Sequence, residues 1–213
     1  MKKIGIIGSG IVAQTLGTGF LNHGYEVQLS SRTPEKLSNW KQQNPSGKVG
    51  AFNEAAQFGD MLVLAVSGRS AEAALELTNK EHLQNKTIID TTNPVSTDTP
   101  QNGVLQFFTN ANSSLMEQLQ HKFPQSNFVK AFNSVGSAFM VNPTFETKPT
   151  MFTCGNNDQA KQEVHEVLDK FGWEIEDMGT AEAARAIEPL SMLWCIPGFR
   201  KNQWTHAFKL LKK

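Results

Sequence analysis

The chain has 213 residues, which suits one ordinary domain with a small appendage. Its 20 basic side chains balance its 20 acidic ones, so nothing in the bulk charge favours nucleic acid or an anionic membrane as partner. Cys154 and Cys195 match no metal or redox spacing, and no apolar stretch reaches the ~20 residues of a membrane span. We therefore expect a cytoplasmic protein with free thiols and no metal site.

Short apolar runs alternate with amphipathic stretches along the chain. The predicted strands cover residues 4–7, 25–29, 48–52, 61–66, 87–90, 128–132, 150–153 and 173–175. The predicted helices cover residues 11–23, 53–58, 70–77, 115–123 and 164–171, with a further helix that begins at Pro34 and takes Thr33 as its N-cap. Residues 94–112 read as a long loop. This β-α-β-α order predicts an α/β fold of Rossmann-like, doubly wound type with a mostly parallel sheet.

The pattern becomes helical from about Thr180. We expect residues 1–179 to form the Rossmann-like domain and residues 180–213 to form a small C-terminal helical region that packs on it. The apolar run at residues 192–196 fits core or subunit interface better than a substrate wall. Pro197 and Gly198 are expected to interrupt it, and Trp204, Phe208 and Leu211 then form a second apolar face.

A glycine-rich loop follows the first predicted strand and opens the first predicted helix. Gly8, Gly10 and Ala13 form the pattern G-x-G-x-x-A. Gly8 allows the tight turn, Gly10 lets the backbone approach a pyrophosphate, and Ala13 keeps helix and strand close. The helix N-terminus offers free N–H groups to the phosphates. In this context the loop predicts a dinucleotide site.

The end of the second predicted strand selects the dinucleotide. An NAD site usually places an acidic residue there to bind the ribose 2′-hydroxyl, but this strand runs into Ser31, Arg32 and Thr33, and Glu26 lies at its other end. The Arg32 guanidinium can pair with a 2′-phosphate, and Lys36 can add a second positive charge. The sequence therefore favours NADP(H).

Small, hydroxyl and amide side chains follow the other predicted strands, at residues 65–68, 90–94 and 131–135. Asp90 is the ionisable group among them, and it fits a catalytic base and a structural turn acceptor equally well. Tyr25 is the only tyrosine, and the five histidines have no metal-ligand spacing. No catalytic residue is predicted. Since carbonyl reduction needs a proton donor, this site suits hydride exchange with a flavin-like ring better.

Residues 4–13, 24–36 and 129–133 resemble the NADPH-dependent coenzyme F420 (deazaflavin) reductases, and also the oxidoreductase domain of the STEAP metalloreductases. The resemblance implies a Rossmann domain, NADP(H) as cofactor and a homodimer. It implies phosphate contacts from Ser9, Gly10, Ile11 and Val12, and 2′-phosphate contacts from Ser31, Arg32 and Lys36. It places Val66, Ser67, Asn93 and Pro94 near the nicotinamide, with residues 131–135, which include Ala131 and Asn133, and residues 192–199 beside the second substrate.

Two functions remain open at this point. The first is an NADP(H)-dependent oxidoreductase that passes hydride between NADPH and a small-molecule acceptor, either a flavin (FMN or FAD), a deazaflavin or another ring. The second is a non-catalytic NADP(H)-binding sensor that changes its protein partners with redox state. The same glycine loop serves both, whereas the enzyme alone needs a place for an acceptor.

Overall fold

A computed structural model describes residues 2–213 and contains one eight-stranded sheet. The strands are β1 (Lys3–Ile7), β2 (Glu26–Ser30), β3 (Lys48–Gly50), β4 (Met61–Leu64), β5 (Thr87–Asp90), β6 (Asn127–Lys130), β7 (Thr150–Gly155) and β8 (Glu174–Asp177). They are ordered β3-β2-β1-β4-β5-β6-β7-β8. All neighbours pair in parallel except β6 and β7, which are antiparallel. The α/β prediction with a mostly parallel sheet is confirmed.

The α-helices lie between these strands and after the last one. They are α1 (Ile11–Asn22), α2 (Ser38–Gln43), α3 (Phe52–Phe58), α4 (Ala71–Glu76), α5 (Leu115–Lys122), α6 (Asp158–Lys170) and α7 (Ala184–Lys201). The helix predicted from Pro34 is a 3₁₀ turn, Pro34–Leu37, followed by α2. Thr33 does not cap it through its side chain. Its backbone N–H instead donates to Ser31 Oγ at 3.1 Å, which shapes the turn before the helix.

The sheet has one apolar core on each face. On one face, Ile6 packs with Leu16 of α1 and Val164 of α6. On the other face, Ile88 packs with helices α3, α4 and α5 and with the first turn of α7, where Ile187 is buried. The residues of β4 are buried throughout, as expected for a strand covered on both faces.

The predicted break at Pro197 and Gly198 is wrong. Helix α7 continues through Pro197 to Lys201 and ends at Asn202, which adopts a left-handed conformation with φ of 53°. A Cβ on Gly198 would overlap the ring of Trp204, so this glycine makes room for the tryptophan. Pro197 lacks the N–H that would donate to the preceding turn of α7. The packing of Trp204 on Gly198 stabilises the helix here in spite of that missing hydrogen bond.

The second apolar face predicted after residue 200 is also not helical. Residues 202–213 contain no helix, and they contact α7, where Trp194 Nε1 donates to His206 O at 2.9 Å. The backbone N–H of Thr150 donates to Phe208 O at 2.8 Å, so the tail is fastened to the start of β7. Leu211 is 84% exposed and forms no part of a core. Within residues 2–213, no helix combines the length and apolar character that crossing a membrane requires.

Candidate functional site

The glycine loop joins β1 to α1 in the expected conformation. Gly8 has φ of +149°, and a Cβ there would overlap the carbonyl oxygen of Ala65 at the end of β4. Gly10 is the N-cap of α1 and receives no side-chain cap, and a Cβ on it would meet no atom within 4 Å. The loop is therefore packed tightly on one side and open on the other, where the first N–H groups of α1 are free of side-chain partners.

A cavity of about 470 Å³ opens above this loop. The predicted site residues that line it are Gly8, Ser9, Gly10, Ser31, Arg32, Thr33, Lys36, Val66 and Ser67. They come from the ends of β1, β2 and β4, which meet at one edge because these strands are parallel. Ser31 is buried, and its hydroxyl accepts the N–H of Thr33, which fixes its position in the cavity lining.

The cavity is positively charged. Arg32, Lys36 and Arg69 line it, and no acidic side chain does. None of the three forms an ion pair with any carboxylate in residues 2–213. The N-terminus of α1 adds a partial positive charge. This arrangement suits a ligand that carries several negative charges.

One wall of the cavity was missed by the sequence analysis. It consists of Phe52, Arg69, Ala73, Ala74 and Leu77, with Ala65 and Ser70 beside them. Arg69, Ala73 and Leu77 are spaced by four residues and so share one face, which runs from the turn before α4 to the residue that ends the helix. That spacing was the available signal, although Leu77, 57% exposed, looks like an ordinary surface leucine without the cavity.

The remaining predicted residues lie outside the cavity lining. Ile11 and Val12 occupy the first turn of α1, where the Ile11 side chain is exposed. Asn93 and Pro94 follow β5, while Ala131 and Asn133 follow β6 and are buried. The cavity thus brings together most of the predicted phosphate-side residues with Val66 and Ser67, which were predicted to lie near the nicotinamide, whereas Asn93, Pro94, Ala131 and Asn133 lie at the next strand ends.

Asn93 and Asn133 form a locked amide pair. Asn93 Nδ2 donates to Asn133 O at 2.8 Å, and Asn133 Nδ2 donates to Asn93 Oδ1 at 3.1 Å and to Ile187 O in α7 at 3.0 Å. The two carbonyl acceptors fix both amide orientations. Asn133 Oδ1 is then a buried acceptor without a partner, and the preceding Phe132 is buried with φ of 61°. An unpaired acceptor beside a strained residue is typical of a functional position.

A buried ion cluster fastens α7 to the same strand ends. Lys130 Nζ lies 2.7 Å from Asp90 Oδ2 and 2.9 Å from Glu188 Oε1, and it donates to Thr92 O at 2.8 Å. Burial opposes the lysine charge, but the two carboxylates outweigh it and raise the pKa of Lys130. Asp90 also accepts from the N–H and hydroxyl of Thr92, which identifies it as a structural turn acceptor.

These features fit a phosphorylated dinucleotide. The open position above Gly10 leaves room for a diphosphate, and Arg32 and Lys36 supply the charge for a further phosphate. Residues 3–94 match the sequence model of a family described as "NADP oxidoreductase coenzyme F420-dependent". The glycine loop and the cation-lined cavity both lie in the region that is similar to this family.

Proteins similar to most of the chain are also described as reductases. The chain is 29% identical over 201 residues to metalloreductase STEAP3 of Rattus norvegicus, covering 92% of the chain and 38% of that protein. It is 27% identical over 190 residues to metalloreductase STEAP2 of Homo sapiens, covering 89% of the chain and 36% of that protein. The chain therefore spans less than half the length of these curated relatives. The fold is also similar to a crystal structure described as a candidate F420-dependent NADP reductase from Arthrobacter sp. FB24. The two chains are 28% identical, the match covers 100% of each, and the TM-score is 0.93.

Proposed function

We propose that the cavity binds NADP(H), with the diphosphate above the glycine loop and the 2′-phosphate at the end of β2. The observation that carries this proposal is the acid-free, cation-lined end of β2. A carboxylate there would repel a 2′-phosphate, whereas Arg32 and Lys36 attract it. Ser31 and Thr33 add hydroxyl donors beside them.

We propose that the chain passes hydride between NADPH and a flavin or deazaflavin-like acceptor. The nicotinamide supplies the hydride when the cofactor is bound. We assign the nicotinamide half to Val66, Ser67, Asn93 and Pro94, because they follow β4 and β5 on the far side of the glycine loop from Arg32. Asn93 and Asn133 are neutral amides and exchange no proton, so they position rings and do not act as an acid or base.

Steady-state oxidation of NADPH, followed at 340 nm with FMN, FAD and a deazaflavin, tests the proposal. We expect turnover with at least one acceptor and much weaker turnover with NADH. Arg32→Gln should remove most of the preference for NADPH over NADH while leaving the acceptor preference unchanged. NADPH binding without oxidation by any acceptor would favour the non-catalytic sensor.

We infer in addition a homodimer that resides in the cytoplasm. Two cysteines without a disulfide support a reducing compartment. Leu193 and Phe199 on α7 are 54% and 49% exposed, whereas Trp194 between them is buried against Gly136. We assign the exposed apolar side chains of α7, with Leu193 foremost, to self-association. Sedimentation velocity of the wild type and Leu193→Ser tests this, since a monomeric wild type would contradict it.

A further inference from the structure

Arg69 is the charged side chain on the cavity wall formed by α4 and the turn before it. It belongs to the 3₁₀ turn Gly68–Ser70, it is exposed, and it has no carboxylate partner in residues 2–213. Ala73 and Leu77 continue the same wall without polar side chains. An unpaired guanidinium that lines a cavity is available to a ligand anion.

The order of the strands indicates which anion Arg69 can reach. Arg32 follows β2, the glycine loop follows β1, and Arg69 follows β4, with β1 lying between β2 and β4. Neighbouring strands are about 4.8 Å apart, so the ends of β2 and β4 are separated by roughly 10 Å. The backbone of Arg69 therefore lies on the opposite side of the glycine loop from Arg32. A diphosphate above the loop is closer to it than a 2′-phosphate beside β2.

The backbone that carries Arg69 is held firmly beside the loop. A Cβ on Gly68 would overlap the carbonyl oxygen of Asn93, so the turn packs directly on the segment after β5. The N–H of Ser70 donates to Ser67 O at 2.8 Å and closes the turn. A guanidinium on such a base loses less freedom on binding than one on a mobile loop.

The proposed dinucleotide carries more negative charge than the 2′-phosphate alone, so a further cation beside its diphosphate is expected. A phosphorylated dinucleotide carries negative charge on its diphosphate and on its 2′-phosphate, where a phosphomonoester contributes about −1.5 to −2. Arg32 and Lys36 both lie at the β2 end of the cavity. Arg69 is the cationic side chain that the cavity places on the diphosphate side.

We infer, on the basis of the proposed function, that Arg69 binds the diphosphate of the dinucleotide and contributes equally to NADP and NAD affinity. It sets how tightly a dinucleotide is held, while Arg32 and Lys36 set which dinucleotide is preferred. Arg69 is thereby a binding residue with no part in reading the 2′-phosphate.

Calorimetric titrations with NADP⁺, NAD⁺ and adenosine 2′-monophosphate test the inference. Arg69→Gln should weaken NADP⁺ and NAD⁺ by the same factor, about tenfold or more, and leave adenosine 2′-monophosphate unchanged. Arg32→Gln should weaken NADP⁺ and adenosine 2′-monophosphate much more than NAD⁺. Arg69→Lys should recover part of the affinity, because it keeps the charge and loses the fork. Lys80→Gln removes an exposed charge outside the cavity and should change none of these values.

The outcomes separate this inference from the proposed function. If Arg69→Gln binds both dinucleotides as the wild type does, Arg69 is not a phosphate ligand and the inference is wrong. If it weakens NADP⁺ and adenosine 2′-monophosphate while sparing NAD⁺, Arg69 reads the 2′-phosphate, which also overturns the inference but keeps the proposed function. A wild type that binds no NADP⁺ would overturn both.

Discussion

Gly10→Ala should abolish tight cofactor binding without harming the fold. Gly10 has φ of −74° and ψ of −179°, which alanine adopts freely, and a Cβ there meets no atom within 4 Å. The gain from a stiffer unfolded chain and the loss of a preferred N-cap residue are each below about 1 kcal/mol, so stability should change by about 1 kcal/mol or less.

The added methyl group would stand where the diphosphate approaches the backbone. Losing one hydrogen bond between an N–H group and a charged phosphate costs about 1.5–3 kcal/mol, which raises the dissociation constant about 10–100-fold. Fluorescence titration with NADPH measures that change, and urea denaturation measures stability on the same samples.

Gly8→Ala is the matched control. Its Cβ would overlap the carbonyl oxygen of Ala65, and its φ of +149° disfavours alanine. Backbone strain and overpacking cost about 1–3 kcal/mol each, so this variant should lose stability as well as binding. If Gly10→Ala folds and binds NADPH as tightly as the wild type, no phosphate approaches this loop and the reasoning is refuted.

Other consequences follow from the buried groups. Lys130→Met leaves the buried carboxylates of Asp90 and Glu188 without their cation. Urea denaturation should show a free energy of unfolding lower by about 3–5 kcal/mol, and a loss below about 1 kcal/mol would mean that the cluster is not desolvated. Burial raises the pKa of the Cys154 thiol to about 12, so a thiol reagent at pH 8 should label it only after unfolding. Rapid labelling of Cys154 in native Cys195→Ser protein, where it is the one remaining thiol, would contradict its burial. Trp194→Ala removes the packing on Gly136 and the hydrogen bond to His206 O. It should lower the free energy of unfolding by about 3–5 kcal/mol and reduce the melting temperature, and an unchanged melting temperature would show that the position of residues 202–213 does not depend on Trp194.

Local sequence signals were enough for most of the sheet. The strand predicted at residues 87–90 coincides with β5, because a short apolar run between turn residues admits few alternatives. The grouping of Ser31, Arg32 and Lys36 with the glycine loop also followed from sequence, since the carboxyl ends of parallel strands meet at one edge.

Features that depend on distant partners could not be predicted. From the sequence, Asp90 fits a catalytic base and a structural turn acceptor equally well. Its contact with Lys130, which also binds Glu188, depends on residues far along the chain. Pro197 and Gly198 looked like a helix end because the ring of Trp204 that packs on Gly198 was not yet located. Arg69 was not singled out from the sequence, because the packing of its turn against Asn93 is a contact between separate segments of the chain.

The most direct test of the central claim is a calorimetric titration of the wild-type chain with NADP⁺ and, separately, with NAD⁺. We expect one site per chain for NADP⁺ and an affinity for NAD⁺ at least about tenfold weaker, as the loss of one charged phosphate contact would give. No binding of NADP⁺, or equal affinity for the two dinucleotides, would contradict the assignment of Ser31, Arg32 and Lys36 as the 2′-phosphate site.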